Sequence, residues 1–151
     1  MKILMVCLGN ICRSPLAEGI LRSKISSQHT IKSAGTISFH EGEHPDKRSV
    51  KTAKENGVDI SHQRANYFTK KYFDEFDKIF CMDVNNLQDV LSMAESETQR
   101  QKVSLILEEA GNHGRAEVPD PYYGTMQDFE NVYDMLDKAC DVIAEKYLLR
   151  D

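Results

Sequence analysis

The chain has 151 residues, of which 40% are hydrophobic, and a formal net charge of −5. That length suits a single domain, residues 1–151, able to bury most of its apolar surface without covalent or metal staples. The acidic balance gives no basic footprint for nucleic acid or for an anionic membrane.

The first element is the short apolar run Ile3-Leu4-Met5-Val6, stopped by Gly9. It is too short for a helix and reads as a strand. Residues 3 to 8 are likewise too few for a signal-peptide core or a membrane span, so a cytoplasmic location is the expectation. A helix follows from Ser14 to about Gln28, with Ser14 as its cap, Pro15 and Glu18 in its first turn, and Leu16, Ile20, Leu21 and Ile25 at helical spacing.

Between strand and helix lies Cys7-Leu8-Gly9-Asn10-Ile11-Cys12-Arg13-Ser14. A loop wrapped around a helix N-terminus offers unpaired backbone N–H groups and a dipole that attract anions, so Leu8 to Arg13 form a candidate phosphate cradle. A thiol aimed into such a ring of donors, beside a guanidinium, is favoured as the thiolate, which makes Cys7 a candidate nucleophile. Arg13 adds a planar fork matched to two phosphate oxygens. Cys, five residues, Arg and a hydroxyl residue arise by chance in a chain of this length roughly once in a hundred.

Ile31 to Ser33 read as the second strand, and Gly35 opens a loop carrying Phe39, His40 and His44. His40-Glu41-Gly42-Glu43-His44 matches the H-E-x-x-H zinc-protease pattern. That chemistry needs a helix to put both imidazoles on one metal, and Gly42 with Pro45 argues against one, so a polar surface loop is the better reading. A second helix is expected from Asp46 to about Asn56, closed by Gly57, and Ile60-Ser61-His62 enters another loop. Lys70 and Lys71 flank a short helix.

Phe76 to Met82 reads as a central parallel strand with Asp83 at its C-terminal end, where Asp83 either holds Arg13 or a loop amide, or caps a helix from Asn85 to Met93. A polar helix end and surface loop span 94 to 102, and Val103 to Leu107 supply the fourth strand. His113 to Thr125 is rich in Gly and Pro and contains Asp120-Pro121-Tyr122-Tyr123. The last helix, from about Met126 to Leu149, puts Phe129, Val132, Tyr133, Leu136, Cys140, Ile143 and Tyr147 on one broad core-facing stripe. Its Cys140, with Cys7, Cys12 and Cys81, completes four cysteines, which in a chain this long and regular read as reduced thiols.

The eight residues from Cys7 to Ser14, with Asp120-Pro121-Tyr122-Tyr123, Ser33-Ala34-Gly35-Thr36 and Phe80-Cys81-Met82-Asp83 followed by Asn86-Leu87, resemble the low-molecular-weight protein tyrosine phosphatases. The likeness runs over nearly the whole chain. It implies an α/β fold with a four-stranded parallel sheet and helices on both faces, which the strand–helix alternation also suggests. It implies phosphomonoester hydrolysis through a phosphocysteine, with Cys7 as nucleophile, Arg13 as phosphate clamp, Asp120 as general acid and base, and Ser14 steadying the thiolate. Phe39, His40, Tyr122 and Tyr123 are expected around the substrate cleft. Ser33, Asp83 and His62 are expected in support, His62 through a hydrogen-bond web with Asn10. Where His40 stands, many relatives carry an acidic residue.

No cofactor or metal is implied. The expected partners are tyrosine-phosphorylated proteins or small aryl phosphates, with inorganic phosphate as product. Phosphoarginine and small-molecule esters stay open. Cys12 suggests a redox role, closing a disulfide with Cys7 under peroxide. Two rival readings use the same loop: a thiol-coupled arsenate reductase, which needs relay cysteines in a mobile segment, and a non-catalytic phosphotyrosine-binding module.

Overall fold

A computed structural model describes residues 1–112 and 116–149. Four strands, β1 (Lys2–Cys7), β2 (Thr30–Gly35), β3 (Lys78–Cys81) and β4 (Val103–Leu105), pair in parallel in the order β2-β1-β3-β4. The expected four-stranded sheet is therefore present. The helices in chain order are α1 (Arg13–Ser23), α2 (Lys47–Glu55), α3 (Tyr72–Glu75), α4 (Val84–Met93), α5 (Glu97–Gln101), α6 (Ile106–Glu109) and α7 (Met126–Ile143), which runs on into a wider turn over Ala144–Leu148.

Both faces of the sheet are covered, and the alternation along β1 shows how. Ile3, Met5 and Cys7 point to a core shared with Leu16 and Ile20 of α1 and with Val132, Leu136 and Cys140 of α7. Leu4 and Val6 point to the opposite core, with Phe73 of α3, Val90 of α4 and Ile79 and Cys81 of β3. A strand buried on both faces needs a continuous apolar run, which is what residues 3 to 6 supply. β1 is also where the connections diverge, to β2 on one side and β3 on the other, so its C-terminal end opens into a crevice. Cys7 stands there, opposite Gly35 in register.

Several element ends differ from expectation for local reasons. α1 stops at Ser23, whose hydroxyl bonds the Ile20 carbonyl and competes with the helix ladder. It begins at Arg13 with Cys12 in the cap position and no side-chain cap, and Glu18 lies beyond the first turn. The stretch expected as a surface loop contains α5, capped by Ser96, and the fourth strand yields to α6 after Leu105.

Candidate active site

The cradle is organised by Asn10. Its backbone lies in the left-handed region at φ 58°, a conformation Asn tolerates better than most residues, and this turns its N–H onto the Cys7 Sγ at 3.3 Å. The Asn66 backbone N–H donates to Asn10 Oδ1 at 2.8 Å, which fixes the side-chain amide so that Nδ2 donates to Ser14 Oγ at 2.7 Å. With that lone pair occupied, the single Ser14 hydroxyl proton is free for Cys7 Sγ, 2.9 Å away. The predicted cap residue is thus spent on the sulfur. Among the described residues, the backbone N–H groups of Leu8, Gly9, Ile11 and Cys12 donate to no protein acceptor, so these donors around an uncapped helix start are available to an anion.

Close approach makes Gly35 necessary. A Cβ there would lie 2.7 Å from the Leu8 carbonyl oxygen and about 3 Å from the backbone of Gly9 and Asn10. β2 and the cradle run side by side, tied by Thr36 N–H to Cys7 O at 3.0 Å and Ile37 N–H to Leu8 O at 3.1 Å.

Arg13 is buried, and its Nη1 donates to Asp83 Oδ2 at 2.7 Å and to the Val118 carbonyl at 2.9 Å. Its Nη2 lies 3.8 Å from Asp120 Oδ2. Burial works against the guanidinium charge, but the Cys7 sulfur, Asp83 and Asp120 outweigh it and hold Arg13 above its ordinary value. Asp83 also accepts the Asn86 N–H through Oδ1 and closes a capping box on α4. Both alternatives offered for Asp83 are realised at once, one on each oxygen.

Cys7, Arg13, Phe39, His40, Asp120, Tyr122 and Tyr123 line one cleft of about 410 Å³, together with Leu8, Gly9, Ile11, Ile37 and Cys12. Phe39 is 82% exposed, standing at the rim rather than tucked into the core. The His40 ring packs over Gly9, pairs with Glu43 through Nδ1, and lies 4.8 Å from the Phe39 ring and 6.5 Å from that of Tyr122. Residues 39–42 form a turn with Gly42 at φ 84°, so the H-E-x-x-H string lacks the helix its zinc chemistry needs.

Two expected supporting residues lie elsewhere. His62 is exposed beside Gly19, Arg22 and Asp59 and does not reach Asn10, whose partners are Ser14 and the Asn66 backbone. The histidine was expected there from the family resemblance; the donor in this chain is a main-chain N–H, which leaves no mark in a sequence. Ser33 donates to the buried Glu18 at 2.7 Å, locking β2 to α1 beneath the cradle without touching it. The Val118 carbonyl and the pair Asp46 and Arg48 also bear on the site, with no expectation from the sequence. A Pro-Asp step before a helix was the available signal for Asp46, which caps α2.

Cys12 is buried in the cradle, and burial, then Asp46, Cys7 and Asp120, push its thiol well up against a smaller opposing effect of Ser49. Cys81 and Cys140 are fully buried on β3 and α7, which leaves them unsuited to a mobile thiol relay.

The family description "Low molecular weight phosphotyrosine protein phosphatase" matches residues 2–151. The human low molecular weight phosphotyrosine protein phosphatase is 37% identical over 154 residues, covering 96% of this chain and 94% of that one. A protein tyrosine phosphatase from Entamoeba histolytica superposes with a TM-score of 0.90 at 36% identity, over 97% of this chain and 96% of that one. A Drosophila arginine phosphatase superposes at 0.91 with 29% identity over the full length of both. With the Cys7 loop and the Asp120 segment converging on one cleft in this fold, the chain belongs to the low molecular weight phosphotyrosine protein phosphatase family.

Proposed function

We propose that this phosphatase hydrolyses phosphotyrosine, on proteins or as small aryl phosphates, with Cys7, Arg13, Ser14 and Asp120 as its chemical groups. The observation that carries the assignment is that the Cys7 sulfur receives the Asn10 N–H and the Ser14 hydroxyl in the same cleft that holds Arg13 and Asp120.

In the first step the Cys7 thiolate forms a bond to phosphorus as the bond to the phenolic oxygen breaks, and protonated Asp120 gives its proton to that oxygen. In the second, Asp120 takes a proton from water, the water oxygen bonds phosphorus, and Cys7 leaves as a thiolate steadied by Ser14 and Asn10. Inorganic phosphate is released. Throughout, the free cradle amides and Arg13 hold the equatorial oxygens, a preorganised stabilisation of the kind that contributes most to such reactions. No step calls for a metal. Phe39 and Tyr122 line the same cleft, and this aromatic lining favours the aryl group of phosphotyrosine over phosphoserine.

Turnover of p-nitrophenyl phosphate in the presence of a chelator tests this reading. Cys7→Ser is expected to lose more than about four orders of magnitude in kcat. Residual turnover near wild type, or turnover abolished by the chelator, would remove the thiolate mechanism. Binding of a phosphotyrosine peptide without any turnover by the wild type would favour the non-catalytic reading.

Cys12 takes a protective role in the same proposal. Peroxide oxidises the Cys7 thiolate to a sulfenic acid, and Cys12 then displaces water to form the disulfide. Loss of the Cys7 charge removes one of the influences that hold the Cys12 thiol up. Cys12→Ser is expected to lose activity irreversibly under peroxide, whereas dithiothreitol restores the wild type.

A further inference from the structure

Asp120 sits on an exposed segment, yet a mechanism that uses it as acid and then base needs its carboxylate to return to one place. The cradle reaches this segment through Arg13, at the Val118 carbonyl and near Asp120 itself, and a second connection comes from outside the cradle. Asp120 Oδ1 accepts the Tyr122 N–H at 3.1 Å, which leaves Oδ2 as the oxygen nearer Arg13, at 3.8 Å. The other end of the Tyr122 residue is pinned as well, since its carbonyl accepts Arg48 Nη2 at 2.9 Å.

Arg48 is itself held on two sides. Asp46 accepts its Nε at 3.0 Å and Nη2 at 2.9 Å, a two-point fork. Its guanidinium carbon stands 4.5 Å from the ring centroid of the buried Phe129 and 5.6 Å from that of Tyr122. Asp46 in turn donates its backbone N–H to the Ile11 carbonyl of the cradle at 2.8 Å. A continuous chain of contacts thus runs from the phosphate loop through Asp46 and Arg48 to the Tyr122 backbone and the Asp120 carboxylate.

We infer that Arg48, seated by Asp46, is a positioning residue that sets the Asp120 carboxylate against the leaving-group side of the cleft. The inference rests on Asp120 being the general acid. It explains an otherwise unused feature, a half-buried arginine whose fork is spent on a neighbouring carboxylate and on a main-chain carbonyl of the acid segment. Lysine, whose three N–H donors radiate from one nitrogen on a flexible stem, does not reproduce the planar fork that meets Asp46 and the Tyr122 carbonyl while lying against Phe129.

The test is kcat/KM across aryl phosphates, from p-nitrophenyl phosphate, whose leaving group needs little protonation, to phenyl phosphate, whose leaving group needs it most. This ratio reports the steps up to P–O cleavage, so the hydrolysis of the phosphoenzyme does not mask the effect. Arg48→Met, which keeps an apolar stem on Phe129, is expected to lose about ten-fold on phenyl phosphate and less than about two-fold on p-nitrophenyl phosphate. Arg48→Lys, the least disruptive change to folding, is expected to show the same leaving-group dependence at a smaller amplitude.

In an Asp120→Asn background, Arg48→Met is expected to cost less than about two-fold, because residues acting through one group are not additive. Equal losses on both substrates, no loss on either, or an undiminished loss in the Asp120→Asn background would overturn the inference. If Asp120→Asn alone proves indifferent to the leaving group, the acid assignment fails and takes this inference with it. If Asp120→Asn shows the dependence and the Arg48 variants do not, only the inference fails.

Discussion

The loop that cradles phosphate and the segment that carries Asp120 face each other across one cleft, and they differ in how they are held. Cys7 and Arg13 are each 2% exposed, and their neighbours Asn10 and Ser14 are equally enclosed, whereas the Asp120 side chain is 43% exposed. Side chains brace the cradle from within, Asn10 to Ser14, Ser14 to Cys7 and Arg13 to Asp83, beside its backbone ties to Thr36, Ile37 and Asp46. Backbone groups anchor the acid segment: Val118 N–H to Met82 O at 2.8 Å, Val118 O to Arg13, and Tyr122 O to Arg48. Burial costs the Arg13 guanidinium its hydration, yet it strengthens the interaction of that charge and of the fixed cradle dipoles with the phosphoryl oxygens, since a low dielectric screens them less. A group that gives a proton to one oxygen and takes it from another needs contact with solvent. Burial thus marks the division of labour.

The sharpest way to break that contrast is Arg13→Lys. The charge stays, but the fork that reaches Asp83, Val118 and the cleft together is lost, and kcat/KM for p-nitrophenyl phosphate is expected to fall by about three orders of magnitude. A loss below ten-fold would mean that charge alone suffices and that the buried fork has no special part. Gly35→Ala comes next. Its methyl would press on the Leu8 carbonyl and shift the cradle from outside, with an expected loss of about ten-fold in kcat and about 1–3 kcal/mol in stability. Thermal melting and steady-state kinetics on the same sample check both, and unchanged phosphate inhibition would show that the cradle is less rigid than its packing implies.

The same contrast governs how much could be read in advance. The buried half was legible because its chemistry lies in side chains at fixed spacing: Cys7 ends β1, Arg13 and Ser14 open α1, and the strand–loop–helix frame brings them together. Asp83 was legible in role but not in multiplicity, since one carboxylate has two oxygens and serves both Arg13 and α4. In the acid half Asp120, Tyr122 and Tyr123 were legible through the family resemblance, but not what holds them. Their anchors are the Val118 carbonyl and the Tyr122 carbonyl, and main-chain groups are the same at every position. Asn66 escaped for that reason, and the vacancy was filled in expectation by His62, which has the right chemistry in the wrong place.

A smaller effect tests the seam between the halves. Burial alone would raise the Asp46 carboxyl, but hydrogen bonds from the Arg48 side chain and backbone outweigh it and hold it below its ordinary value of 3.8. A carboxyl held low in the folded state adds stability above its unfolded value, and that stability is lost as pH falls through the folded value. Asp46→Asn is therefore expected to cost about 1 kcal/mol at neutral pH, a loss that shrinks as pH falls from about 4, where the unfolded chain's carboxyl begins to protonate, toward the lower folded value. Denaturant melts of both proteins from pH 7 to pH 3 measure the gap. A gap independent of pH would assign the whole contribution to the neutral capping bond.

The smallest expected effect is at the rim, at His40. Its pairing with Glu43 and its seat on Gly9 place it at the mouth of the cleft, with Phe39 on one side and Tyr122 on the other. His40→Glu puts a second carboxylate beside Glu43 there, and exposed like charges repel by less than about 1 kcal/mol. KM for a phosphotyrosine peptide with acidic flanks is expected to rise about three-fold at low salt and to approach wild type at high salt, because charges at the rim are screened. p-Nitrophenyl phosphate carries no flanks and is expected to stay within about two-fold of wild type. A salt-independent loss on both substrates would instead place His40 among the residues that shape the cradle, through its contact with Gly9, and would move the boundary between the two halves of the cleft to include it.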